Sequence, residues 1–168
     1  MYFIFGYLDA DAPIELRNVT MTIEDGASAT VEFTFDEGDF QYTMSKDWTY
    51  RPNRGRLGSA NGASVVQNDD QPMQLSFQGR YSRYSSETDT KPQEILFNIG
   101  GEFTSTDSQN CATYACNITL ENVPPCGDDD GETLLFPDFR VDEGQFGIRD
   151  GNVSFTGRCN ATEPTKVV

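Results

Sequence analysis

Histidine is absent from the 168 residues. That removes the commonest general base, the usual partner of a serine or cysteine nucleophile, and most catalytic zinc sites. Cationic side chains are also scarce: 12 lysines and arginines stand against 27 aspartates and glutamates, a formal charge of −15. A protein that grips nucleic acid or an anionic membrane by charge needs the opposite balance. Long apolar runs are missing too, and none approaches the roughly 18 residues of a membrane span. The opening Met1-Tyr2-Phe3-Ile4-Phe5-Gly6-Tyr7-Leu8 turns acidic at Asp9, and the first basic residue is Arg17. A signal peptide has basic residues first, a longer apolar stretch and a small-residue cleavage site. The chain therefore reads as soluble, with no membrane partner and no export signal.

Catalytic and metal motifs are missing as well. There is no GxSxG, no phosphate-cradling glycine loop and no cysteine–histidine pairing. The acid run Asp128-Asp129-Asp130-Gly131-Glu132 lacks the alternating ligand spacing of an EF-hand loop and reads as a solvated turn. Cysteines 111, 116, 126 and 159 form no CxxC pair, which argues against a four-thiolate zinc site. Reduced buried thiols and, in an oxidising compartment, two disulfides both remain open. Four N-x-S/T triplets begin at Asn18, Asn117, Asn152 and Asn160. The expectation is a protein that is not an enzyme and holds no cofactor or metal.

What is present is an alternation of period two, the mark of half-buried strands. Val19, Met21 and Ile23 alternate with threonines, Glu24-Asp25-Gly26-Ala27-Ser28 reads as a hairpin turn, and Val31, Phe33 and Phe35 resume the pattern. Asp36-Glu37-Gly38 reads as a second turn, before Phe40, Tyr42 and Met44, with the same parity running on to Trp48 and Tyr50. Further rows are Met73-Leu75-Phe77-Tyr81, Tyr114-Cys116-Ile118-Leu120 and Val153-Phe155-Cys159, with shorter strands at Leu134 to Phe139 and Gln145 to Ile148. A short helix is expected where Thr90 caps and Pro92 opens the first turn, Ile95, Leu96 and Ile99 share a face, and Gly100-Gly101 stops it. The expected fold is all-β, a sandwich or barrel with one flanking helix. Residues 13–165 form one domain behind an N-terminal arm, 1–12.

Two regions read as contact surfaces. Residues 51–71 read as a long irregular connection, of a length that is usually functional or disordered, and they hold Arg51, Arg54 and Arg56 beside Leu57. The arm places Tyr2, Phe3, Ile4 and Phe5 where they need a docking site. Outward strand positions are mostly Gln, Ser, Thr and Asn, while acids gather in turns, so some outer faces are expected to lie against another subunit.

Several of these segments carry a resemblance. Ile14-Glu15-Leu16-Arg17-Asn18-Val19-Thr20-Met21-Thr22-Ile23-Glu24-Asp25-Gly26 resembles the first strand and turn of tail tube proteins of long-tailed bacteriophages. Asp36-Glu37-Gly38-Asp39-Phe40, Arg54-Gly55-Arg56-Leu57 and Asp70-Gln71-Pro72-Met73 follow in that family's order. So do Pro124-Pro125-Cys126-Gly127, Phe136-Pro137-Asp138-Phe139-Arg140 and Cys159-Asn160-Ala161-Thr162-Glu163, extending the likeness over residues 14–164. The resemblance implies a tail-tube fold whose partners are copies of itself in homo-hexameric rings, stacked into a virion tail tube assembled in the host cytoplasm. It also implies other tail proteins at the tube ends, and an acidic lumen through which DNA passes in ejection without specific binding. Tyr2, Phe3, Ile4, Phe5, Arg51, Arg54, Arg56 and Leu57 become the expected inter-subunit and inter-ring contacts. Two rival readings are a secreted immunoglobulin-like recognition domain and a tail-tip or terminator ring protein of the same fold.

Overall fold

The computed structural model describes residues 19–52, 63–81, 90–109, 112–122, 132–147 and 149–167. Nine strands and one short α-helix occur in them: β1 (Val19–Glu24), β2 (Thr30–Ser45), β3 (Trp48–Pro52), β4 (Ala63–Gln67), β5 (Gln71–Tyr81), α1 (Pro92–Phe97), β6 (Cys116–Asn122), β7 (Glu132–Gly147), β8 (Asn152–Cys159) and β9 (Thr165–Val167). The fold is thus all-β with one flanking helix, as the periodicity predicts.

Seven strands form one sheet in the order β6-β1-β2-β5-β8-β7-β9, and β6 also pairs with β7. Pairing therefore closes through six antiparallel strands, which resolves the sandwich-or-barrel expectation toward a barrel. Strands β2 and β7, 16 residues each, belong to both halves of it. The first part of β2 pairs with β1 and the rest with β5. The first part of β7 pairs with β6 and the rest with β8. Each long strand shifts register on the way, at Phe35/Glu37 and at Val141/Glu143. Bulges of this kind let a strand turn a corner and change sheets.

These bulges correct two expectations. Asp36-Glu37-Gly38 is no turn but lies inside β2; Asp142-Glu143 stands at the corresponding register shift inside β7. Leu134 to Phe139 and the segment from Gln145 belong to one continuous strand. The residues have turn chemistry, but pairing on both flanks absorbs them as extra residues in a ladder.

A further bulge lies in the Phe136-Pro137-Asp138-Phe139 motif. Ile118 pairs with Phe136 and Cys116 with Phe139, so Pro137 and Asp138 together face Asn117. Proline offers no N–H to the ladder. Asp138 adopts a left-handed φ of 50°, and its N–H donates to the Asn117 carboxamide at 3.1 Å. Three positions apart in a flat strand, Phe136 and Phe139 would face opposite sides. The bulge turns both inward, where they are 0% and 1% exposed.

Inward positions build a continuous aromatic chain. Phe139 meets Phe155 at 5.8 Å between ring centroids, Phe155 meets Phe77 at 5.0 Å, and Phe77 meets Phe40 at 6.5 Å. Phe40 then meets Phe136 at 5.2 Å, and Tyr42 follows at 5.5 Å. Met21, Ile23, Met73, Leu75, Ile118 and Val153 fill the space around them. Each such side chain, fully buried, contributes about 1.5–3 kcal/mol of transfer free energy.

Helix α1 closes one side. Lys91, not Thr90, is its N-cap, with Pro92 next and the Glu94 carboxylate accepting from the Lys91 N–H at 2.9 Å. Asn98, left-handed at φ 48°, ends the helix before the two glycines. The Asn98 turn carries Ile99 away from the core, so Ile95 and Leu96 are buried while Ile99 is 55% exposed.

Candidate functional site

The described residues contain no grouping of three or more cysteines, aspartates and glutamates able to hold a metal ion. No helix among them is long and apolar enough to cross a membrane. Three surfaces remain as candidates: a polar sheet face, a clamp beside the barrel, and a hairpin.

The polar face is the outside of the β2-β5-β8-β7 half. Outward alternation presents Asp39, Gln41 and Thr43, then Gln74, Ser76, Gln78 and Arg80, then Asn152, Ser154, Thr156 and Arg158. An open concavity of about 770 Å³ lies at one end, lined by Asp39, Gln78, Arg80, Gln145, Asn152 and Ser154 among others. Asp142 meets Arg158 at 3.5 Å, both well exposed. Such a surface offers many neutral hydrogen-bonding groups and little net charge.

The clamp joins two distant motifs. From β7, Arg140 Nη2 donates to Asp107 at 2.6 Å, Nε donates to the Thr113 hydroxyl at 2.9 Å, and Nη1 reaches the Asn160 carboxamide oxygen. Asn160 donates back to the same Asp107 oxygen at 3.1 Å. The backbone N–H of Gln109 first, then Arg140, hold the Asp107 carboxyl below its ordinary range. Nearby, buried Asp25 accepts from the N–H groups of Ala27, Ala29 and Thr104, at 2.9, 2.7 and 3.0 Å. Gly26 is required there, since a Cβ would lie 2.3 Å from the Ser105 carbonyl oxygen. Together these contacts pin Thr104, Asp107 and Thr113 to the barrel. Their order indicates a structural role, with the charged groups spent on one another.

Two thiols flank the clamp. Cys116 and Cys159 both pair with Phe139, from opposite sides, and are free and buried. Burial, and secondarily the neighbouring thiol, pushes Cys116 up to about 12; burial and then Asp138 push Cys159 up to about 12. These are packing groups, not nucleophiles. Cys111 and Cys126, and the acid run through Gly131, lie outside the described residues.

The hairpin departs most from expectation. Residues 51–71 hold strand structure: the end of β3, all of β4 and the start of β5. Trp48 pairs with Gln67, Thr49 with Val66, Tyr50 with Val65 and Arg51 with Ser64. Val65-Val66 is β-branched and continues what Trp48 and Tyr50 begin. Directly paired residues share a face, so Trp48, Tyr50, Val65 and Gln67 line one side. That side is bare: Trp48 is 45% exposed, Tyr50 67% and Val65 51%, and Val66 on the other side is 40%. Met44, 49% exposed, leads into it from β2. Of the expected contact residues, Arg51 has its backbone in β3. Tyr2, Phe3, Ile4, Phe5, Arg54, Arg56 and Leu57 lie outside the described residues. The exposed apolar residues of the hairpin are the contact candidates that charge-led reading passed over.

No protein-family model matches the chain, and no curated protein matches its sequence. Solved structures do share its fold. One is described as the sheath/tube terminator, in the extended state, of the extracellular contractile injection system PVC; it superimposes with a TM-score of 0.56 at 10% identity, covering 95% of this chain and 99% of that one. Another comes from the 6-fold symmetrised baseplate of the anti-feeding prophage (AFP), with a TM-score of 0.51 at 10% identity, covering 93% and 96%. At that identity the likeness is one of fold, and it spans nearly the whole of each chain.

Proposed function

We propose that this chain is a structural subunit of a phage-tail-like particle, acting by self-association and without an active site. The observation that carries this reading is the fold likeness to terminator and baseplate chains over their whole length. Three features support it. Asp107, Cys116 and Cys159, whose ionisation is shifted, are tied up in the clamp and in packing. A neutral polar sheet face suits a wet contact with a neighbour or a passing polymer. A charge of −15 repels the phosphates of DNA, as a conduit requires.

In this reading the subunits form rings that stack as a tail tube and pass DNA without holding it. The names of the similar structures favour a second position, a ring at the tube's end. A secreted recognition domain is the weaker reading. Cys116 and Cys159 are free, and the carboxamides of Asn117 and Asn160 are already engaged in hydrogen bonds with Asp138, Arg140 and Asp107, which a glycan would disturb.

Negative-stain electron microscopy at rising protein concentration tests this. Stacked hollow tubes support the tube subunit and isolated rings the terminator. Dispersed particles at every concentration, with or without added tail extract, overturn the assembly reading.

A further inference from the structure

Three stretches of the chain recur in the same order. Met21-Thr22-Ile23-Glu24 of β1 returns as Ile118-Thr119-Leu120-Glu121 of β6. Phe35-Asp36-Glu37-Gly38-Asp39-Phe40 of β2 returns as Val141-Asp142-Glu143-Gly144-Gln145-Phe146 of β7. Gln74-Leu75-Ser76-Phe77-Gln78-Gly79-Arg80 of β5 returns as Asn152-Val153-Ser154-Phe155-Thr156-Gly157-Arg158 of β8. Alternation alone repeats only the apolar and polar classes. Here serine, phenylalanine, glycine and arginine themselves return at the same steps, the mark of an internal repeat.

The pairing obeys the same correspondence. β1-β2-β5 is a run of antiparallel neighbours, and so is β6-β7-β8. The two runs meet through β1–β6 and β5–β8, both antiparallel. Like strands paired about a two-fold axis centre on a position that faces its own counterpart. Thr22 pairs with Thr119, and Phe77 pairs with Phe155. Around each centre the partners exchange: Met21 pairs with Leu120 and Ile23 with Ile118, Gln74 with Arg158 and Arg80 with Asn152. The register shifts of the long strands also coincide, at Phe35/Glu37 and Val141/Glu143. One ladder slides: Gly38 pairs with Gly79, whereas its counterpart Gly144 pairs with Phe155, the counterpart of Phe77. That slide is one whole period of a strand, so every face is kept.

We infer that the chain is an internal duplication: β1-β2-β5 and β6-β7-β8 are two copies of one three-stranded unit about a pseudo-two-fold axis, and the β3–β4 hairpin is an insertion in the first copy. Residues 46–70 connect β2 to β5, where residues 148–151 alone connect β7 to β8. The inserted hairpin pairs only with itself. The duplication also shapes the polar face. The concavity of about 770 Å³ takes Gln78, Gly79 and Arg80 from β5 and Asn152, Val153 and Ser154 from β8. A second, of about 210 Å³, takes the counterparts: Thr156, Gly157 and Arg158 from β8 and Gln74, Leu75 and Ser76 from β5. One face of the subunit therefore presents the same set of guanidinium, hydroxyl and carboxamide twice. The duplication holds whether or not the chain is a tail subunit.

Two full-chain variants test this. In the first, residues 46–70 are replaced by Ile148-Arg149-Asp150-Gly151, the connection that the second unit uses. In the second, the β5 and β8 repeats trade places: Gln74→Asn, Leu75→Val and Gln78→Thr are combined with Asn152→Gln, Val153→Leu and Thr156→Gln. Urea unfolding is followed by circular dichroism, because Trp48 leaves with the hairpin. The hairpin-less chain is expected to keep a single cooperative transition with a slope close to wild type. The exchanged chain is expected to keep both slope and midpoint, since each residue enters the environment of its counterpart. Loss of the transition in the exchanged chain overturns the duplication. Loss in the hairpin-less chain alone overturns the insertion, making the hairpin part of the fold, and leaves the duplicated units standing.

Discussion

The barrel and the β3–β4 hairpin are built from the same alternating sequence but end in opposite situations. In the barrel, strands are paired into a closed circuit and the inward rings touch in series. In the hairpin, two strands pair only with each other, and their rings face water. Alternation therefore specifies a strand but not whether its apolar face is buried by the same chain. Where the chain leaves it bare, stability and association become separable properties.

The sharpest way to break that separation is to truncate one aromatic in each region. Phe155→Ala empties a fully buried position between two other rings and should cost about 3–5 kcal/mol, a large share of a domain's stability. Tyr50→Ala should change the unfolding free energy of the monomer by no more than about 0.5 kcal/mol. Urea denaturation at a concentration where the protein is dispersed measures both. Equal losses would mean that the hairpin is part of the cooperative core.

A smaller effect is expected at a close approach within the barrel. A Cβ on Gly157 would lie 2.1 Å from the Arg140 carbonyl oxygen and 2.5 Å from the Phe139 ring. Gly157→Ala should therefore cost about 1–3 kcal/mol by overpacking, read as a lower urea midpoint with an unchanged slope. In the hairpin, Val65→Ala, at a position 51% exposed, should move the midpoint far less.

Less again is expected from the clamp, and its sign depends on pH. Asp107 titrates below the ordinary carboxyl value because the Gln109 N–H and Arg140 favour its ionised form. Its contribution is present above the unfolded value of about 3.9 and is lost as pH falls through the lower folded one. Asp107→Asn should lower the melting temperature at pH 7, and the gap from wild type should close as pH drops into the acid range. A gap independent of pH would show that packing, not the charge, holds the clamp.

Much of this architecture was legible in the sequence, and the failures share a cause. The inward rows in β1, β5, β6 and β8 follow from period two, and the Asp25 turn follows from its side-chain chemistry. What period two could not show is register across a bulge. Phe35-Asp36-Glu37-Gly38-Asp39-Phe40 and Val141-Asp142-Glu143-Gly144-Gln145-Phe146 repeat one pattern, an acidic pair and glycine framed by apolar residues. Both lie where a 16-residue strand shifts register. The repeat was a signal that two like places exist in the fold, and local turn propensity concealed it. The clamp was illegible for a different reason: Asp107, Arg140 and Asn160 are brought together only by the pairing of β7 with β8. The hairpin face was half legible, since the parity ran on to Trp48 and Tyr50, but Ala63 to Gln67 looked too bland for a strand.

The finest test of the comparison uses probes already present in the chain. Trp48 is the only tryptophan in the sequence, and it stands on the exposed hairpin. Cys116 and Cys159 stand in the core, each with its thiol pushed up to about 12 by burial. At neutral pH Cys116 and Cys159 should resist maleimide in the native protein and react fully in denaturant, whereas Trp48 in the dispersed protein should be quenched freely by acrylamide. On assembly the indole should become protected and the thiols should not change. Because the folded thiols ionise higher than unfolded ones, stability is intact below the unfolded thiol value and declines as pH rises from there toward about 12. Trp48 quenching should be indifferent to that range until unfolding begins. Native labelling of Cys116 or Cys159, identified by peptide mass spectrometry, would mean that β6 and β8 part from Phe139 far more often than a closed barrel allows.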